Sequence, residues 1–437
     1  MPDTSAPVPA LPAFDAPTPP LRALMRVADK PAPVFSHGQG SWLWDTRGRR
    51  HLDLVQGWAV NTLGHAPEAI ARALADQAGL LLQAGPGFHN LPAARLAERL
   101  AALSGLDRVF ITTSGAEANE GAVKLARKFG AVHRGGADRI ITFTHGFHGR
   151  TLAMMAASGK PGFNTLFTPA VPGFIHAPFN DLAAVQALVD GPQGGQIAAV
   201  MLELVQGEAG AVPAERGFVQ GLRALCDAHG LLLIVDEVQT GIGRCGPLFA
   251  HTDWGITPDV MTLGKGLGGG VPIGAVLARE AVCCFTPGDQ GGTYNGNALV
   301  CAAALAVLDA VTAPGFLAQA QARGRQLARG LATLSERHGL GAVHGAGLLR
   351  AVDLPPSLTA EAVAREAREP ATGDGLLVNP VRPQRLRLMP ALNIDADTLA
   401  EALALLDGAL TRAAGAGGAM TNHPGPSIAH THPATTA

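Results

Sequence analysis

The chain has 437 residues, of which 47% are apolar and 16% are charged, and its formal net charge is −2. This length suits a two-domain enzyme with a large core, and the near-neutral charge excludes a basic surface for nucleic acid or acidic membranes. The longest apolar stretch, residues 298–308, is far shorter than the roughly 20 residues of a membrane span, so we expect a soluble, cytoplasmic protein.

Both ends of the chain are predicted to be disordered. Residues 1–20 are rich in Pro, Ala and Thr and lack the basic flank and apolar core of a secretory signal. The tail, residues 413–437, is mostly Gly, Ala, Pro, Thr and His. Its His423, His430 and His432 suit metal binding by residue type, but a solvated tail is favoured. The five cysteines form no CxxC pair, so we predict reduced thiols and no metal site.

The middle of the chain alternates short aliphatic runs with longer amphipathic segments, which is the pattern of a βαβ sheet and predicts an α/β fold. Helices are predicted over 117–129 and 217–229, the second ending at Gly230. The run 231–235 is continuously apolar, as in a central strand buried on both faces. Strands are predicted at 108–111, 139–143, 197–202, 231–235, 260–263 and 274–277.

The pattern changes after residue 311, which predicts a large domain over 76–311 and a smaller α/β domain over 312–412. The N-terminal segment, 21–75, contains Ser41-Trp42-Leu43-Trp44-Asp45 and is expected to pack with the small domain. The predicted elements of the small domain are helices at 316–338 and 395–410 and strands at 348–352, 376–378 and 385–388.

The first chemical motif is SGAEANE, which begins at Ser114, follows a predicted strand and opens a helix. Ser114 and Glu117 have the spacing of a capping box. The free N–H groups of a helix start beside Ser and Gly form a phosphate site. On this motif alone, an ordinary capped helix explains the residues equally well.

Asp236 and Lys265 end two predicted strands, where ligands lie in open α/β sheets. Asp236 either caps the next turn or stabilises a protonated ring nitrogen, such as the pyridinium of pyridoxal phosphate. Lys265 lies in the run LGKGLGGG, and its nearest acidic neighbour in sequence is Asp259. Desolvation there lowers a lysine pKa and favours Schiff-base formation. A nucleotide-binding loop is disfavoured because GxxxxGK[ST] and a strand-linked GxGxxG are absent.

Further motifs follow in a fixed order: NTLGH from Asn61, FHGRT from Phe147, QGE from Gln206, DEVQTGIGR from Asp236, and Thr293-Tyr294. Together with SGAEANE and the glycine-flanked lysine, they resemble class III pyridoxal-phosphate-dependent aminotransferases, most closely the acetylornithine aminotransferase branch. Matching segments run from about residue 38 to about residue 405. The resemblance implies the type I, aspartate aminotransferase-like fold, with a mainly parallel sheet in the large domain and a smaller α/β domain.

The resemblance implies a pyridoxal 5′-phosphate site built at the interface of a homodimer. Lys265 is then the catalytic lysine, which holds the cofactor as a Schiff base and acts as general acid and base. Asp236 pairs with the ring nitrogen. The other implied contacts are Ser114, Gly115, Ala116 and, from the second subunit, Thr293 at the phosphate, and Phe147, Val238 and Gln239 at the ring.

The resemblance also implies how substrates bind. Arg150 and Arg387 are the implied carboxylate clamps, since guanidinium binds carboxylate bidentately, although each also fits a surface arginine. Glu208 pairs with Arg387 while a terminal amine reacts, and releases it for a keto acid. Trp58 and Gly292 differ from the residues common at these positions in this branch. The difference bears on which amine donor the site accepts. Trp58 either contacts the donor or fills core space between the domains.

The implied reaction transfers the terminal amine of N2-acetylornithine to 2-oxoglutarate, as in arginine biosynthesis, and yields N-acetylglutamate 5-semialdehyde and glutamate. Another ω-amino donor, such as ornithine, succinylornithine or 4-aminobutyrate, is the alternative. A non-catalytic pyridoxal-phosphate-binding protein needs no proton-transferring lysine, so Lys265, Asp236 and the two arginines argue against it. A nucleotide-binding protein is the remaining alternative.

Overall fold

The computed structural model describes residues 21–31 and 33–420. The predicted leader, residues 1–20, and the three histidines of the predicted tail, His423, His430 and His432, lie outside these residues. Within the described part, helices cover three separate β-sheets and a short two-stranded hairpin.

A seven-stranded sheet forms the centre of the molecule. Its strands are parallel except for Gly274–Ala278, which runs antiparallel to both of its neighbours. Ile197–Glu203 and Leu232–Asp236 are buried along their whole length, as expected for strands with both faces covered. The predicted mainly parallel sheet is therefore confirmed. The strand order is Arg108–Thr112, Gly274–Ala278, Val260–Leu263, Leu232–Asp236, Ile197–Glu203, Arg139–Phe143 and Phe174–Ala177.

Two of the helices predicted from amphipathic segments flank this sheet. Gly115–His133 begins where the Ser114 side chain accepts a hydrogen bond from the Glu117 N–H, at 3.2 Å. Arg216–His229 ends at Gly230, which adopts the left-handed conformation that glycine permits. Both helices direct their apolar side chains to the sheet, and the first brings its amino terminus to the carboxyl ends of the strands.

The C-terminal sheet has four antiparallel strands in the order Val343–Ala346, Leu349–Asp353, Arg385–Leu388 and Asn379–Arg382. A second four-stranded sheet joins the N-terminal segment to this region, because Arg50–Asp53 pairs in parallel with Gly375–Leu377. The same N-terminal segment also contacts the central sheet, since Leu63 and Ile70 belong to the core beside it.

The prediction of a tail from residue 413 is wrong for its first residues, because the last helix is Ala396–Met420. Ala413 is only 4% exposed and packs in the same core as Leu406 and Leu410. Ala413 and Ala414 favour a helix although glycines follow at 415, 417 and 418, and the apolar contact of Ala413 with the core continues the helix past the predicted boundary.

Among residues 21–31 and 33–420, no single helix is long and apolar enough to cross a membrane. The adjacent helices Ala298–Val311 and Phe316–His338 reach that length and composition only when taken together, and they are bent by 74° at the break between them. The same residues contain no group of three or more His, Cys, Asp or Glu side chains arranged to hold a metal ion. All five cysteines are free thiols.

The remaining elements complete the chain. The other helices are Glu68–Ala78, Leu91–Ser104, Leu152–Ala157, Phe163–Leu166, Leu182–Asp190, His251–Trp254, Ala298–Val311, Phe316–His338 and Ala360–Arg368. Single 3-10 turns lie at Leu21–Ala23, Gly194–Gln196, Lys265–Leu267 and Glu280–Val282. The other strands are Phe35–Gln39, Trp42–Asp45, Val205–Gln206 and Val212–Pro213.

Candidate active site

The carboxyl ends of the central strands surround a cavity of about 280 Å³ that contains Lys265 and Asp236 in its wall. Most of the residues expected to bind a cofactor meet here. The lining residues are Gly115, Ala116, Asn119, Phe147, His148, Gly149, Arg150, Glu203, Asp236, Val238, Gln239 and Lys265.

Lys265 starts the 3-10 turn that follows the strand Val260–Leu263 and Gly264. Its backbone φ of 37° lies in the left-handed region, which is strained for a residue with a side chain. Burial lowers the pKa of Lys265, while the charges of Asp236 and Glu203 oppose that shift. A larger fraction of this amine is therefore unprotonated than in an ordinary lysine, as a nucleophile or general base requires.

Asp236 is buried at the end of its strand, and both of its carboxylate oxygens accept hydrogen bonds. Oδ1 accepts from the Val238 N–H at 3.0 Å, so the side chain does cap the following turn. Oδ2 lies 2.8 Å from Asn119 Nδ2 and 2.7 Å from His148 Nδ1. The Asp236 carboxylate therefore both caps the following turn and is fixed in the wall of the cavity.

Asn119 and His148 were not predicted as site residues. Thr262 Oγ1 donates to Asn119 Oδ1 at 2.6 Å, so the amide group of Asn119 is oriented with its NH₂ toward Asp236. Burial alone would lower the pKa of His148, but its hydrogen bond to Asp236 and the charge of Asp236 outweigh burial and raise it. Both residues lie inside motifs that the sequence displays, SGAEANE and FHGRT, and this position is the signal that could have identified them.

Glu203 is a further buried carboxylate that was not predicted. It ends the neighbouring strand, directly opposite Asp236 in the parallel register. Its Oε1 accepts from the Phe147 N–H at 2.8 Å, and its Oε2 accepts from the Gly207 N–H at 3.2 Å. Burial, opposed in part by the charge of His148, raises the pKa of Glu203 to about 7. The side chain links two loops that border the cavity.

The start of the helix Gly115–His133 forms another part of the wall. The N–H groups in the first turn of a helix have no partner within the helix, and they carry the positive end of its dipole. A Cβ added at Gly115 would lie 2.5 Å from Val238 Cγ1, so only glycine lets the helix start approach this side chain. The arrangement suits a phosphate group next to Val238.

Arg387 is almost completely buried, with 1% of its surface exposed. Its Nη2 donates to Glu208 Oε1 at 3.0 Å, and both its Nε and its Nη2 donate to Asn379 Oδ1. Burial lowers the pKa of Arg387, and the charge of Glu208 opposes this shift. Nη1 has no hydrogen-bond partner within the described residues, so the guanidinium retains a donor for an anion.

Glu208 is placed between two cations. Its Oε2 lies 3.5 Å from Lys160 Nζ, opposite its contact with Arg387. Burial would raise the pKa of Glu208, but the charges of Arg387 and Lys160 outweigh burial and lower it. Its ionised carboxylate therefore offsets the charge of the buried Arg387 guanidinium.

Most of the chain matches a known family of proteins. A family profile described as "Aminotransferase class-III" matches residues 25–410. The chain belongs to the class III aminotransferase family. Members of this family are pyridoxal-phosphate-dependent transaminases, so the protein moves an amino group between a small-molecule donor and a keto acid.

Individual relatives cover almost the whole of this class III aminotransferase. It is 57% identical to acetylornithine aminotransferase 2 of Bordetella bronchiseptica over 390 residues, which are 89% of this chain and 97% of that protein. N-acetylornithine aminotransferase from Stenotrophomonas maltophilia has 36% identity and a TM-score of 0.76, covering 91% and 99% of the two chains. Ornithine aminotransferase from Toxoplasma gondii has 29% identity and a TM-score of 0.84, covering 90% and 93%. The fold is therefore that of type I pyridoxal-phosphate enzymes.

Six residues predicted for the site are not among those that line the cavity of this aminotransferase: Ser114, which caps the helix start, Glu208 and Arg387, which pair with each other, and Thr293, Gly292 and Trp58. Thr293 is exposed, and its carbonyl accepts a hydrogen bond from Gln83 Nε2. Gly292 lies beside Asn295, whose side chain would be 2.8 Å from an added Cβ. Trp58 is 54% exposed, so it does not fill core space between the domains as one interpretation expected.

Trp58 nevertheless has a backbone link to the cavity. Residues 56–59 have φ values of 48°, 62°, 63° and 66°, which makes the segment Gln56–Ala59 one left-handed turn. The Trp58 carbonyl lies 3.4 Å from Nε2 of Gln239, one of the lining residues. Because left-handed conformations of non-glycine residues are strained, the surrounding fold must hold this turn in place.

Proposed function

We propose that this aminotransferase transfers the terminal amine of N2-acetyl-L-ornithine to 2-oxoglutarate and yields N-acetylglutamate 5-semialdehyde and glutamate. The observation that carries the proposal is the pair formed by buried Arg387 and half-buried Glu208, whose charges act on Lys265. Such a pair suits a site that receives one substrate with a carboxylate at the reacting carbon and one without. The 57% identity to acetylornithine aminotransferase 2 supports this donor.

The residues around the cavity fit pyridoxal 5′-phosphate. Lys265 supplies an amine with lowered pKa for covalent attachment, and Asp236 supplies a fixed carboxylate for the ring nitrogen. Phe147 and Val238 offer apolar surfaces for the two ring faces, and Gln239 offers an amide for the ring hydroxyl. Gly115 and Ala116, capped by Ser114, would hold the phosphate with their N–H groups. When bound, the cofactor supplies an electron sink for the bonds of the substrate carbon.

Lys265 then acts as the proton carrier. Its amine, freed when the donor binds, takes the proton from the reacting carbon of the substrate and later returns it as general acid. Burial lowers the pKa of Lys265 and so increases the fraction of free amine that can take this proton. His148 and Asn119 keep the Asp236 carboxylate in one orientation, so its negative charge stays directed at the cavity.

Substrate exchange depends on Arg387. N2-acetylornithine has no carboxylate at its reacting carbon, and Glu208 neutralises the buried guanidinium while this donor is bound. The α-carboxylate of 2-oxoglutarate displaces Glu208 and pairs with Arg387 bidentately. Arg150, which lines the cavity that contains Lys265, receives the second carboxylate of the substrate. The same pocket thereby accepts both reactants in turn.

We also propose that the active enzyme is a homodimer. Leu80 is 81% exposed, Phe88 is 77% exposed and Tyr294 is 66% exposed, which is unusual for large apolar side chains. These residues lie on neighbouring segments, because Gln83 and Asn90 donate hydrogen bonds to the carbonyls at positions 293 and 296. A second copy of the chain would cover this surface and bring its own Thr293 to the phosphate.

A panel of amino donors with 2-oxoglutarate tests the donor. The expected result is that N2-acetylornithine gives a higher kcat/KM than ornithine, succinylornithine or 4-aminobutyrate when glutamate formation is measured. An equal or better rate with 4-aminobutyrate would contradict the proposed donor and leave the enzyme class unchanged. Light scattering tests the dimer, for which we expect a mass of about twice the 44.7 kDa of one chain.

A further inference from the structure

The turn that carries Glu208 is held by the C-terminal sheet. It connects the paired strands Val205–Gln206 and Val212–Pro213, and Glu208 points to Arg387 from it. On the same turn, the carbonyl of Ala209 accepts from Arg382 Nε at 3.0 Å and from Arg385 Nη1 at 3.3 Å.

Arg385 also donates to the next carbonyl, that of Gly210, at 3.3 Å from Nη1. Gly210 has a φ of +96°, and a Cβ added to it would lie 2.1 Å from Arg385 Cδ. The arginine thus crosses the turn in direct contact with its backbone, and glycine is required both for the backbone conformation and for the space.

The guanidinium of Arg385 is also held by two residues of the C-terminal sheet. Its Nε donates to Asp353 Oδ1 at 2.5 Å, and its Nη2 lies 3.2 Å from His344 Nε2. His344 in turn lies 2.7 Å from Asp353 Oδ2. The side chain of Arg385 is only 17% exposed. A network anchored on neighbouring strands of the sheet fixes the donor atoms that hold the turn.

The other side of this turn borders a cavity of about 610 Å³. Gln206, Ala209 and Val212 line it together with Arg382 and Arg385. The turn therefore has free volume beside it, and the two arginines hold it in the position where Glu208 reaches Arg387. The turn must shift or Glu208 must rotate when a carboxylate ligand takes Arg387.

We propose that Arg385, assisted by Arg382, is a positioning residue that sets the balance between the two substrates by holding Glu208 against Arg387. This inference rests on the proposed function, because it assigns Arg387 to the substrate carboxylate. A weakened contact lowers the population in which Glu208 neutralises Arg387. Carboxylate ligands then bind more tightly, and a donor without a carboxylate at its reacting carbon reacts more slowly.

The test compares the wild-type holoenzyme with Arg385→Gln and Arg385→Lys. One measurement is the Kd of glutarate, a dicarboxylate without a reacting carbonyl, by calorimetry. The other is the single-turnover rate constant with N2-acetylornithine. For Arg385→Gln we expect a glutarate Kd about fivefold lower and a donor rate constant about tenfold lower, since hydrogen bonds from a charged donor are lost. Arg385→Lys keeps the charge and should give smaller changes in the same directions.

Arg350→Lys is the matched control, because Arg350 holds the carbonyls of Gly345 and Gly347 in another turn of the same sheet. It should leave both measurements unchanged. The inference is overturned if Arg385→Gln weakens glutarate binding and donor turnover by the same factor, or if a folded variant changes neither. Should Arg385→Gln fail to fold, Arg382→Gln removes one hydrogen bond from the same turn and is judged by the same criteria. A wild-type enzyme inactive with N2-acetylornithine contradicts the proposed donor instead, and the glutarate measurement still decides the role of Arg385.

Discussion

Lys265 and Asp236 place an amine and a carboxylate in one small cavity, and each is adjusted by its surroundings. Burial lowers the pKa of Lys265, while hydrogen bonds from Asn119 and Val238 and the adjacent His148 fix the Asp236 carboxylate. The opposite charges do not form an ordinary surface ion pair, and both are directed at the space where the cofactor is proposed to bind. Substitutions of single residues therefore test the role proposed for each side chain.

Replacement of the lysine should remove chemistry without removing the fold. We expect Lys265→Ala to lower kcat by at least about 10³-fold, because no other lysine among the described residues lines the cavity to carry the proton. Lys160, the lysine next to Glu208, is already paired with that carboxylate. Steady-state glutamate formation measures the effect, and Lys124→Ala, at an exposed lysine on the helix Gly115–His133, is the control. Activity of Lys265→Ala within tenfold of wild type would disprove its assigned role.

Substitution of Arg387 should weaken the binding of 2-oxoglutarate more than the binding of the amine donor. Arg387→Lys keeps a positive charge but loses the fork of donors, so we expect the KM for 2-oxoglutarate to rise at least about 30-fold. The KM for the amine donor should change much less, and it serves as the internal control. Equal increases in both KM values would show that Arg387 does not discriminate the substrates.

At the scale of elements, the site depends on where strands and helices end. Asp236 and Lys265 were predictable because each follows a short apolar strand and precedes a turn or glycine run. The links from Glu203 to Phe147 and Gly207 were not, since they depend on the register of strands and on loops far apart in sequence. A local pattern does not contain that information.

Two short irregular elements were not predicted because their sequences show no local pattern. The hairpin that carries Glu208 has strands of two residues each, too short to show a period. The left-handed turn at residues 56–59 contains a single glycine, so its sequence gives no signal for four consecutive positive φ values. Both features are stabilised by distant contacts, and of the two interpretations left open for Trp58, the one in which it fills core space is wrong.

The helix start at Gly115 offers a test at the same scale. Gly115→Ala places a Cβ against Val238, so we expect the Kd for pyridoxal phosphate to rise about tenfold or more through the cost of overpacking. Gly217→Ala is the control, because Gly217 also lies in the first turn of a helix and an added Cβ meets no atom within 4 Å. Cofactor titration by fluorescence measures both. Equal affinities for the two variants would contradict a close approach at Gly115.

At the scale of the whole molecule, buried ionisable groups make stability depend on pH. The pKa of Glu203 rises from 4.5 to about 7 on burial, so its contribution to folding is present below 4.5 and is lost as pH rises through 7. The pKa of His148 is also raised, and its contribution is likewise lost as pH rises. Both groups make the folded state less stable on the alkaline side.

Glu203→Gln should reduce this dependence. The variant loses one acceptor for a backbone N–H, which lowers Tm at every pH, but it has no charge to bury. We therefore expect the fall in Tm between about pH 5 and about pH 8 to be smaller in Glu203→Gln than in wild type. Thermal unfolding followed by circular dichroism measures both proteins. A parallel pair of Tm curves would rule out Glu203 as a source of the pH dependence.

The most direct test of the whole account is the identity of the lysine that carries the cofactor. The sequence contains five lysines, Lys30, Lys124, Lys128, Lys160 and Lys265. Purified holoenzyme is reduced with borohydride, digested, and searched by mass spectrometry for the pyridoxyl group. We expect the group on the peptide that contains Lys265, and we expect prior treatment with N2-acetylornithine to remove it from that peptide. A pyridoxyl group on Lys160 or another lysine, or on none, would contradict the central assignment.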